Sequence, residues 1–242
     1  MRNRHVEKEK KNRKLWFRVI KKILRLFIKK PVFVYLGEKP KSQSIILSNH
    51  VGASGPLKLE LYFQGNFRFW GTHEMNDGLI STYKYLSYTY FHKKKGWNLV
   101  ASRVFCLIAA PLLNLFYKGL RLIPTYTDVR LKNTLKTSLQ EMKDGSNIII
   151  FPEDSHDGYH DMLKGFYAGF STLGNLCLKH GIDTPIYLAY YNRHNKTFTF
   201  DKPVLYSELK SLNLNKNQLS KKLLDRMNEL GTLPVAEEEQ PI

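Results

Sequence analysis

Cysteine is scarce in this chain of 242 residues, which contains only Cys106 and Cys177. Both lie in apolar surroundings, and their spacing matches no metal-binding motif. Two such residues cannot form a disulfide framework, and they are typical of buried, reduced thiols in a cytosolic protein.

Long apolar runs are also missing. The apolar, uncharged run Val104–Tyr117 is 14 residues long and contains Pro111, whereas a helix that spans a bilayer needs about 20 apolar residues. The run therefore predicts a buried or interfacial helix. The N-terminus is charged over too long a stretch for a signal peptide and has no small-residue cleavage site.

Acidic residues are few, because 21 Asp and Glu stand against 38 Lys and Arg, which gives a formal net charge of +17. This excess predicts an anionic partner, which is nucleic acid, a phospholipid surface or a phosphorylated substrate. With 43% hydrophobic and 13% aromatic residues, the chain is expected to be globular and long enough for one sizeable core.

Residues 1–30 carry much of this charge, with 13 basic and 2 acidic side chains. They predict a basic arm followed, over residues 15–30, by an amphipathic helix. Its apolar side includes Trp16 and Phe27, while Lys21 lies among the basic residues opposite. A basic helix of this kind is typical of a helix lying in a membrane interface. The alternative is a helix that packs on its own domain and leaves a solvated basic face.

Strands and helices alternate along the rest of the chain. Buried strands are predicted over residues 44–48, 147–151 and 184–191, from short apolar runs bounded by turn signals. This alternation predicts a single α/β domain, residues 31–232, with a mixed, mostly parallel central sheet flanked by helices. The N-terminal amphipathic helix precedes this domain, and a mobile acidic tail, residues 233–242, follows it.

Polar residues follow three of the predicted strands. They are Ser48-Asn49-His50, the arginine-containing stretch 121–130 around Pro124, and residues 153–157. Open α/β sheets bind ligands at the carboxyl ends of their strands, so these clusters predict a site. An imidazole there can act as a general base near neutral pH. The alternative is that His50 only hydrogen-bonds a loop.

Four short motifs resemble, in order, those of the glycerolipid acyltransferase family, which comprises the lysophosphatidic-acid and related lysophospholipid acyltransferases. They are Asn49-His50, Ile123-Pro124, Phe151-Pro152-Glu153 and Thr184-Pro185-Ile186. The resemblance covers roughly residues 15–230. The NH…GP stretch, the GTHEM segment and FPE…DGY are similar to a divergent bacterial subgroup of the family.

This resemblance implies that His50, with Asn49 beside it, is the general base. It removes the proton of a glycerol hydroxyl as the oxygen attacks a thioester carbonyl. A second-motif arginine is implied to grip a substrate phosphate, and the third-motif glutamate to position the glycerol backbone or that arginine. The implied substrate-binding residues are Arg121, Arg130, Pro124, Glu153, Ser155 and His156.

Three positions depart from the family pattern. Gly55 stands where the family has its catalytic aspartate, Thr127 where it has an arginine, and Asp154-Ser155-His156 replaces Gly-Thr-Arg. Loss of the orienting carboxylate in a triad costs about four orders of magnitude in rate. Either acylation is slow or another carboxylate takes its place. On the C-terminal side, Glu60 and Glu74 are the acidic residues nearest in sequence, and Glu60 is assigned to the predicted site.

Aspartate and histidine side chains also cluster within residues 154–161, and such residues can bind metals. In a loop after a strand, however, they more often cap the next helix and line a polar cleft. We therefore predict no metal site. The resemblance implies no bound cofactor, since acyl-CoA or acyl-carrier protein would be a cosubstrate.

The predicted function is that of a membrane-surface O-acyltransferase, which moves a fatty acyl group from such a thioester donor to the hydroxyl of a lysophospholipid or related glycerolipid. The expected partners are an anionic phospholipid membrane surface, the acceptor and the acyl donor, with the protein peripheral or monotopic on the cytoplasmic face of the cell membrane. The alternative is a catalytically impaired lipid-binding relative, because of Gly55. Nucleic acid is not expected as a partner, because the charge lies on an amphipathic helix and no binding motif is present.

Overall fold

The computed structural model describes residues 14–156 and 158–233. Its helices are α1 (Leu15–Phe27), α2 (Ser54–Tyr62), α3 (Leu79–Lys84), α4 (Leu99–Leu120), α5 (Leu131–Lys143), α6 (Gly169–Lys179), α7 (Tyr206–Ser211) and α8 (Lys216–Thr232). A one-turn 3₁₀ helix, His73–Met75, precedes α3, and a π-helix, Tyr85–Lys94, continues it. The strands are β1 (Val32–Tyr35), β2 (Ile45–Ser48), β3 (Phe67–Thr72), β4 (Ile123–Thr125), β5 (Asn147–Ile150), β6 (Pro185–Asn192), β7 (Thr197–Phe200) and β8 (Val204–Leu205).

The prediction of an α/β fold is confirmed. The strands belong to a mixed, mostly parallel sheet flanked by helices, and the predicted N-terminal helix is present as α1. Cys106 and Cys177 are buried, as predicted, and neither belongs to a disulfide within the described residues. The chain divides into two compact units. Unit 1 comprises residues 14–27, 64–149, 155–156 and 158, and unit 2 comprises residues 28–63, 150–154 and 159–233.

In unit 2, strand β6 is hydrogen-bonded to three other strands. It pairs in parallel with β2, with Ile45 opposite Ile186, and antiparallel with β7, with Tyr191 opposite Phe198. β7 pairs in parallel with β1, and β8 pairs antiparallel with β6. Every residue of β2 is buried, as expected for an apolar run covered on both faces of a sheet. The chain that leaves the carboxyl end of β2 therefore starts from the core of this unit.

In unit 1, strand β3 pairs in parallel with β4 and β5. Helix α5 is tied to both β3 and β4 by side-chain hydrogen bonds. The indole Nε1 of Trp70 donates to Ser138 Oγ at 2.8 Å, and Thr134 Oγ1 donates to the Pro124 carbonyl at 2.6 Å. These bonds fix the position of the Ile-Pro segment at the end of α4.

Helix α1 packs on α4 through Phe17. The Phe17 ring lies 5.3 Å from the Phe116 ring and against Gly119, where a Cβ atom would come within 2.0 Å of it. This contact fixes the rotation of α1, and it buries Lys21 to 9% exposure. Lys21, on the predicted basic side of the helix, is therefore buried rather than solvated, whereas Phe27, on the predicted apolar side, is 80% exposed.

Helix α4 is longer than the uncharged run that predicted it. The Asn98 carboxamide caps its start by accepting from the N–H groups of Val100 (2.8 Å) and Ala101 (3.3 Å). The helix also includes Arg103 and Lys118, whose charged side chains lie on its exposed side. It therefore extends beyond the uncharged run and is 22 residues long. Among the described residues, α4 is the helix long and apolar enough to cross a membrane by length and composition.

Candidate active site

The turn between β2 and α2 carries His50. Val51 and Gly52, which follow it, both have left-handed backbone conformations, with φ of 44° and 64°. For a β-branched residue such as Val51 this conformation is strained by about 1–3 kcal/mol. Strain of this kind concentrates at functional sites, where the surrounding structure holds it in place.

Asn49 is fully buried, and its carboxamide binds the backbone of strand β6. Nδ2 donates to the Tyr191 carbonyl at 3.0 Å, and Oδ1 accepts from the Tyr191 N–H at 2.6 Å. The pair of bonds continues the strand pairing for one residue beyond β2 and satisfies two backbone groups that would otherwise need partners. This geometry supports a positioning role for Asn49 beside His50.

Glu153 places a carboxylate on the His50 turn. Its Oε2 accepts from the backbone N–H of His50 at 2.8 Å, and Glu153 is buried, with 6% of its surface exposed. The loop that carries Glu153 is held by an isolated antiparallel bridge to Phe166 and by a 2.7 Å bond from the Tyr167 N–H to the Pro152 carbonyl. The structure therefore brings together His50 and Glu153, which are far apart in sequence.

The imidazole of His50 contacts two aromatic rings. It stacks on Tyr159, with ring centres 5.0 Å apart and planes 19° apart, and it meets Phe151 edge-on at 5.0 Å. His50 is only partly buried as a residue, and packing on both rings orients its imidazole. Tyr159 has no predicted role, although it is the tyrosine of the FPE…DGY segment, which was the one signal that could have identified it.

The loop that carries Tyr159 is anchored two residues later, at Asp161. The Asp161 carbonyl accepts from the Tyr190 hydroxyl at 2.7 Å, and its carboxylate accepts from Arg193 (3.0 Å) and lies 3.3 Å from His194 Nε2. Burial raises the pKa of Asp161, but the hydrogen bonds to His194 and Arg193 outweigh it and leave the pKa below its ordinary value. An ionised carboxylate therefore holds the loop at neutral pH.

Gly55, the second residue of α2, faces the backbone of the turn. A Cβ atom at this position would lie 2.8 Å from the His50 carbonyl oxygen and 3.3 Å from that of Asn49. Both oxygens belong to backbone that cannot yield without moving His50. The glycine at the position where the motif it resembles has an aspartate thus has a steric reason, and an aspartate does not fit this turn. Glu60, assigned from the sequence in its place, is fully buried in α2.

Unit 1 contains Arg130, which is predicted to bind phosphate. Its Nε donates to both carboxylate oxygens of Asp128, at 2.9 and 3.1 Å, and its guanidinium lies 4.4 Å from the centre of the Tyr126 ring. The hydrogen bonds from Arg130 hold the pKa of Asp128 below its ordinary range. The Tyr126 ring in turn lies 4.9 Å from the His73 ring. Arg130 is therefore oriented by a carboxylate and an aromatic face.

The remaining predicted residues of unit 1 lie on three different segments. Arg121 follows α4 in a left-handed conformation, with φ of 53°. Ser155 Oγ accepts from Lys94 Nζ at 2.9 Å, and His156 is exposed. Pro124 is the central residue of β4. That these residues bind a substrate phosphate stays a prediction.

The fold and this turn define an α/β protein with a partly exposed histidine at a strand-to-helix turn. A scan against protein-family models finds no matching family, and a search of the curated proteins finds no matching relative. Within residues 14–156 and 158–233, no three or more His, Cys, Asp or Glu side chains are grouped so as to hold a metal ion. The functional proposal therefore rests on the residues and their geometry.

We expect Glu153→Ala to lower the free energy of unfolding by about 1–3 kcal/mol, because the N–H of His50 would lose its buried acceptor. Glu153→Gln retains an acceptor oxygen at the same distance from the backbone, so we expect its free energy of unfolding to fall clearly less than that of Glu153→Ala. Glu208→Ala, which removes an exposed carboxylate, serves as control, with a change within about 0.5 kcal/mol. Urea unfolding followed by circular dichroism measures all three. Native stability of Glu153→Ala would contradict a structural role for this bond.

Proposed function

We propose that this protein is a membrane-surface O-acyltransferase. It transfers a fatty acyl group from a thioester donor, acyl-CoA or acyl-carrier protein, to a hydroxyl of a lysophospholipid or related glycerolipid. The observation that carries the proposal is the partly buried His50 at the end of a buried strand, on a turn held by Glu153 and Asn49. The four motifs that resemble those of acyltransferases support the same reaction class.

In this reaction His50 is the general base. Its imidazole takes the proton of the acceptor hydroxyl while the oxygen attacks the thioester carbonyl, so that a C–O bond forms and the C–S bond breaks. The imidazolium then gives this proton to the leaving thiolate, which departs as the free thiol. The two substrates supply every atom of the products.

In the acyltransferases that the motifs resemble, an aspartate orients the catalytic imidazole. In this protein, aromatic packing provides part of that orientation. Tyr159 and Phe151 restrict the ring of His50, and the face of Tyr159 stabilises the imidazolium by a cation–π interaction of about 0.5–2 kcal/mol. A buried carboxylate in a triad is worth more, about four orders of magnitude in rate. We therefore expect slow turnover relative to enzymes that have the aspartate.

The proposed place of action is the cytoplasmic face of the cell membrane, where the lysophospholipid acceptor resides. Support comes from α1, on which Ile23 and Phe27 are exposed beside exposed Lys22 and Arg25. Apolar side chains next to cations suit the boundary between acyl chains and anionic headgroups.

Gly55 favours a second candidate function, that of a lipid-binding relative without turnover. The turn excludes a side chain at position 55, so this chain cannot orient His50 by the family's own residue. A protein of this kind would bind vesicles and lysophospholipids and would leave thioesters intact.

The test is an assay of the purified full chain with lysophospholipids in vesicles and with either acyl-CoA or acyl-carrier protein as donor. We expect release of thiol that depends on the acceptor and matches the diacyl product found by mass spectrometry. Omission of the acceptor is the matched control. Absence of thiol release for every pair, from protein that still binds the vesicles, would overturn the acyltransferase in favour of the lipid-binding relative.

A further inference from the structure

Helix α4 has one long apolar face that is open to solvent. Six large apolar side chains on it are between 46% and 75% exposed, and their positions, at 100° per residue, place them on one side of the helix. They are Val100, Val104, Leu107, Ile108, Leu112 and Leu115. A helix of 22 residues is about 33 Å long. An exposed apolar surface of this length is the mark of an interaction site.

The opposite side of α4 is packed inside unit 1. Cys106 and Ala110 are fully buried and form a core cluster with Leu86 of the π-helix, and Asn114 is buried near Thr82 of α3. Because one side of α4 is packed on protein and the other is exposed, its geometry fits a helix that lies in the plane of an interface.

Aromatic and lysine side chains surround the start of α4. Trp97 is 41% exposed, and its ring centre lies 5.4 Å from that of Phe105. Just before it, Lys93 Nζ lies 4.7 Å above the exposed ring of Tyr88. Tryptophan, tyrosine and lysine are the residues enriched at the level of lipid headgroups, where one end of the side chain is apolar and the other is wet.

The charge of this region is of one sign. Between Gly78 and Thr127 the chain contains no Asp or Glu, and its basic residues there are Lys84, Lys93, Lys94, Lys95, Arg103, Lys118 and Arg121. Helix α1, which packs on α4 through Phe17 and Gly119, likewise contains no acidic residue. A second copy of this chain would bring like charges together, which opposes self-association. Anionic lipid headgroups are complementary to this surface.

We infer that the exposed face of α4 inserts into the outer part of a bilayer that contains anionic lipids, with the helix axis parallel to the membrane plane. The six apolar side chains enter the acyl boundary, and Trp97 and Tyr88 lie at headgroup level. The inference deepens the proposed function and rests on its membrane-surface part, but not on its chemistry. It makes α4 a second membrane-binding element beside the basic helix α1.

The test uses the full chain and vesicles that mix phosphatidylglycerol with phosphatidylcholine, with no acyl donor or acceptor present. The double variant Ile108→Glu/Leu112→Glu is expected to bind at least about tenfold more weakly, because two charges would enter the apolar boundary. The matched control is Leu212→Glu/Leu214→Glu, which changes two exposed leucines of unit 2 and is expected to bind as the native chain does. Binding of the native chain to pure phosphatidylcholine is expected to be weaker.

Three results would overturn the inference. They are native binding by the α4 double variant, a native dimer in solution that this variant dissociates, and deep insertion of the middle of α4. For the last, Ile108→Trp adds a fluorophore halfway along the helix. In-plane insertion predicts stronger quenching by lipids brominated near the headgroup than by lipids brominated deep in the chain. Circular dichroism confirms that each variant folds. Because vesicle binding is measured without turnover, its loss and a failure of the acyl-transfer assay remain separate results.

Discussion

His50→Ala is expected to lower the rate of acyl transfer at least about 100-fold, because a positioned general base contributes about 10²–10⁴ to such reactions. The substitution removes the imidazole and leaves the backbone N–H of residue 50, so that the hydrogen bond to Glu153 is kept. We therefore expect the turn and the fold to survive. The measurement is the initial rate of acceptor-dependent thiol release at saturating donor, with circular dichroism as the check on folding.

The matched control for this experiment is His194→Ala. The His194 side chain is 72% exposed, and its contact is a 3.3 Å approach to Asp161. His194 contacts the loop at Asp161 and not the turn that carries His50. We therefore expect a rate within about twofold of the native chain. If His50→Ala and the native chain turn over equally, the assignment of His50 as general base is wrong.

The predicted part of this site is the part that is local in sequence. The apolar run before Asn49-His50 ends in polar residues and glycines, which is enough to place a histidine at the end of a buried strand. The apolar run before Phe151-Pro152-Glu153 likewise predicts that this segment follows a buried strand, which is β5. A pattern of a few residues contains this information, because burial and turn chemistry act over that distance.

The contacts that complete the site are long-range and could not be predicted from the sequence alone. Asn49 binds Tyr191, 142 residues away, because β2 and β6 are neighbours in unit 2. The stacking of Tyr159 on His50 depends on how the loop folds back over the turn. No periodicity encodes either pairing, since both depend on which elements pack together.

The same reason explains why the burial of Lys21 on α1 could not be predicted. Helical periodicity correctly predicts an amphipathic helix, but the rotation of that helix depends on its partner. Here Phe17 packs against Gly119, and this contact places Lys21 on the buried side. Only the structure shows that a glycine on α4 leaves room for this ring.

Gly55→Asp would introduce the residue that the acyltransferase motif has at this position, and we expect it to lower both stability and activity rather than to raise turnover. The new Cβ would lie 2.8 Å from the His50 carbonyl oxygen, so that this oxygen, and the turn with it, has to move. Overpacking of this kind costs about 1–3 kcal/mol. The aspartate offsets part of this loss of stability, because a carboxylate in the first turn of a helix is stabilised by about 0.3–1 kcal/mol by the helix dipole. A shift of about 1 Å at a catalytic group lowers the rate about 100-fold.

Two further variants separate the shape of the new side chain from its charge. Gly55→Ala adds the same Cβ without the carboxylate, and we expect it to be destabilised at least as much as Gly55→Asp. Ser54→Asp adds a carboxylate one residue earlier, where a Cβ is already present, and should leave stability within about 1 kcal/mol of the native chain. Thermal unfolding and the acyl-transfer rate are measured for all three variants.

A Gly55→Asp chain that is as stable as the native protein and faster would show that the turn relaxes and that a missing carboxylate limits turnover. If Gly55→Asp is slow and destabilised and Gly55→Ala is destabilised too, glycine is required because α2 lies close to the backbone of His50. This turn and an aspartate at position 55 would then exclude each other.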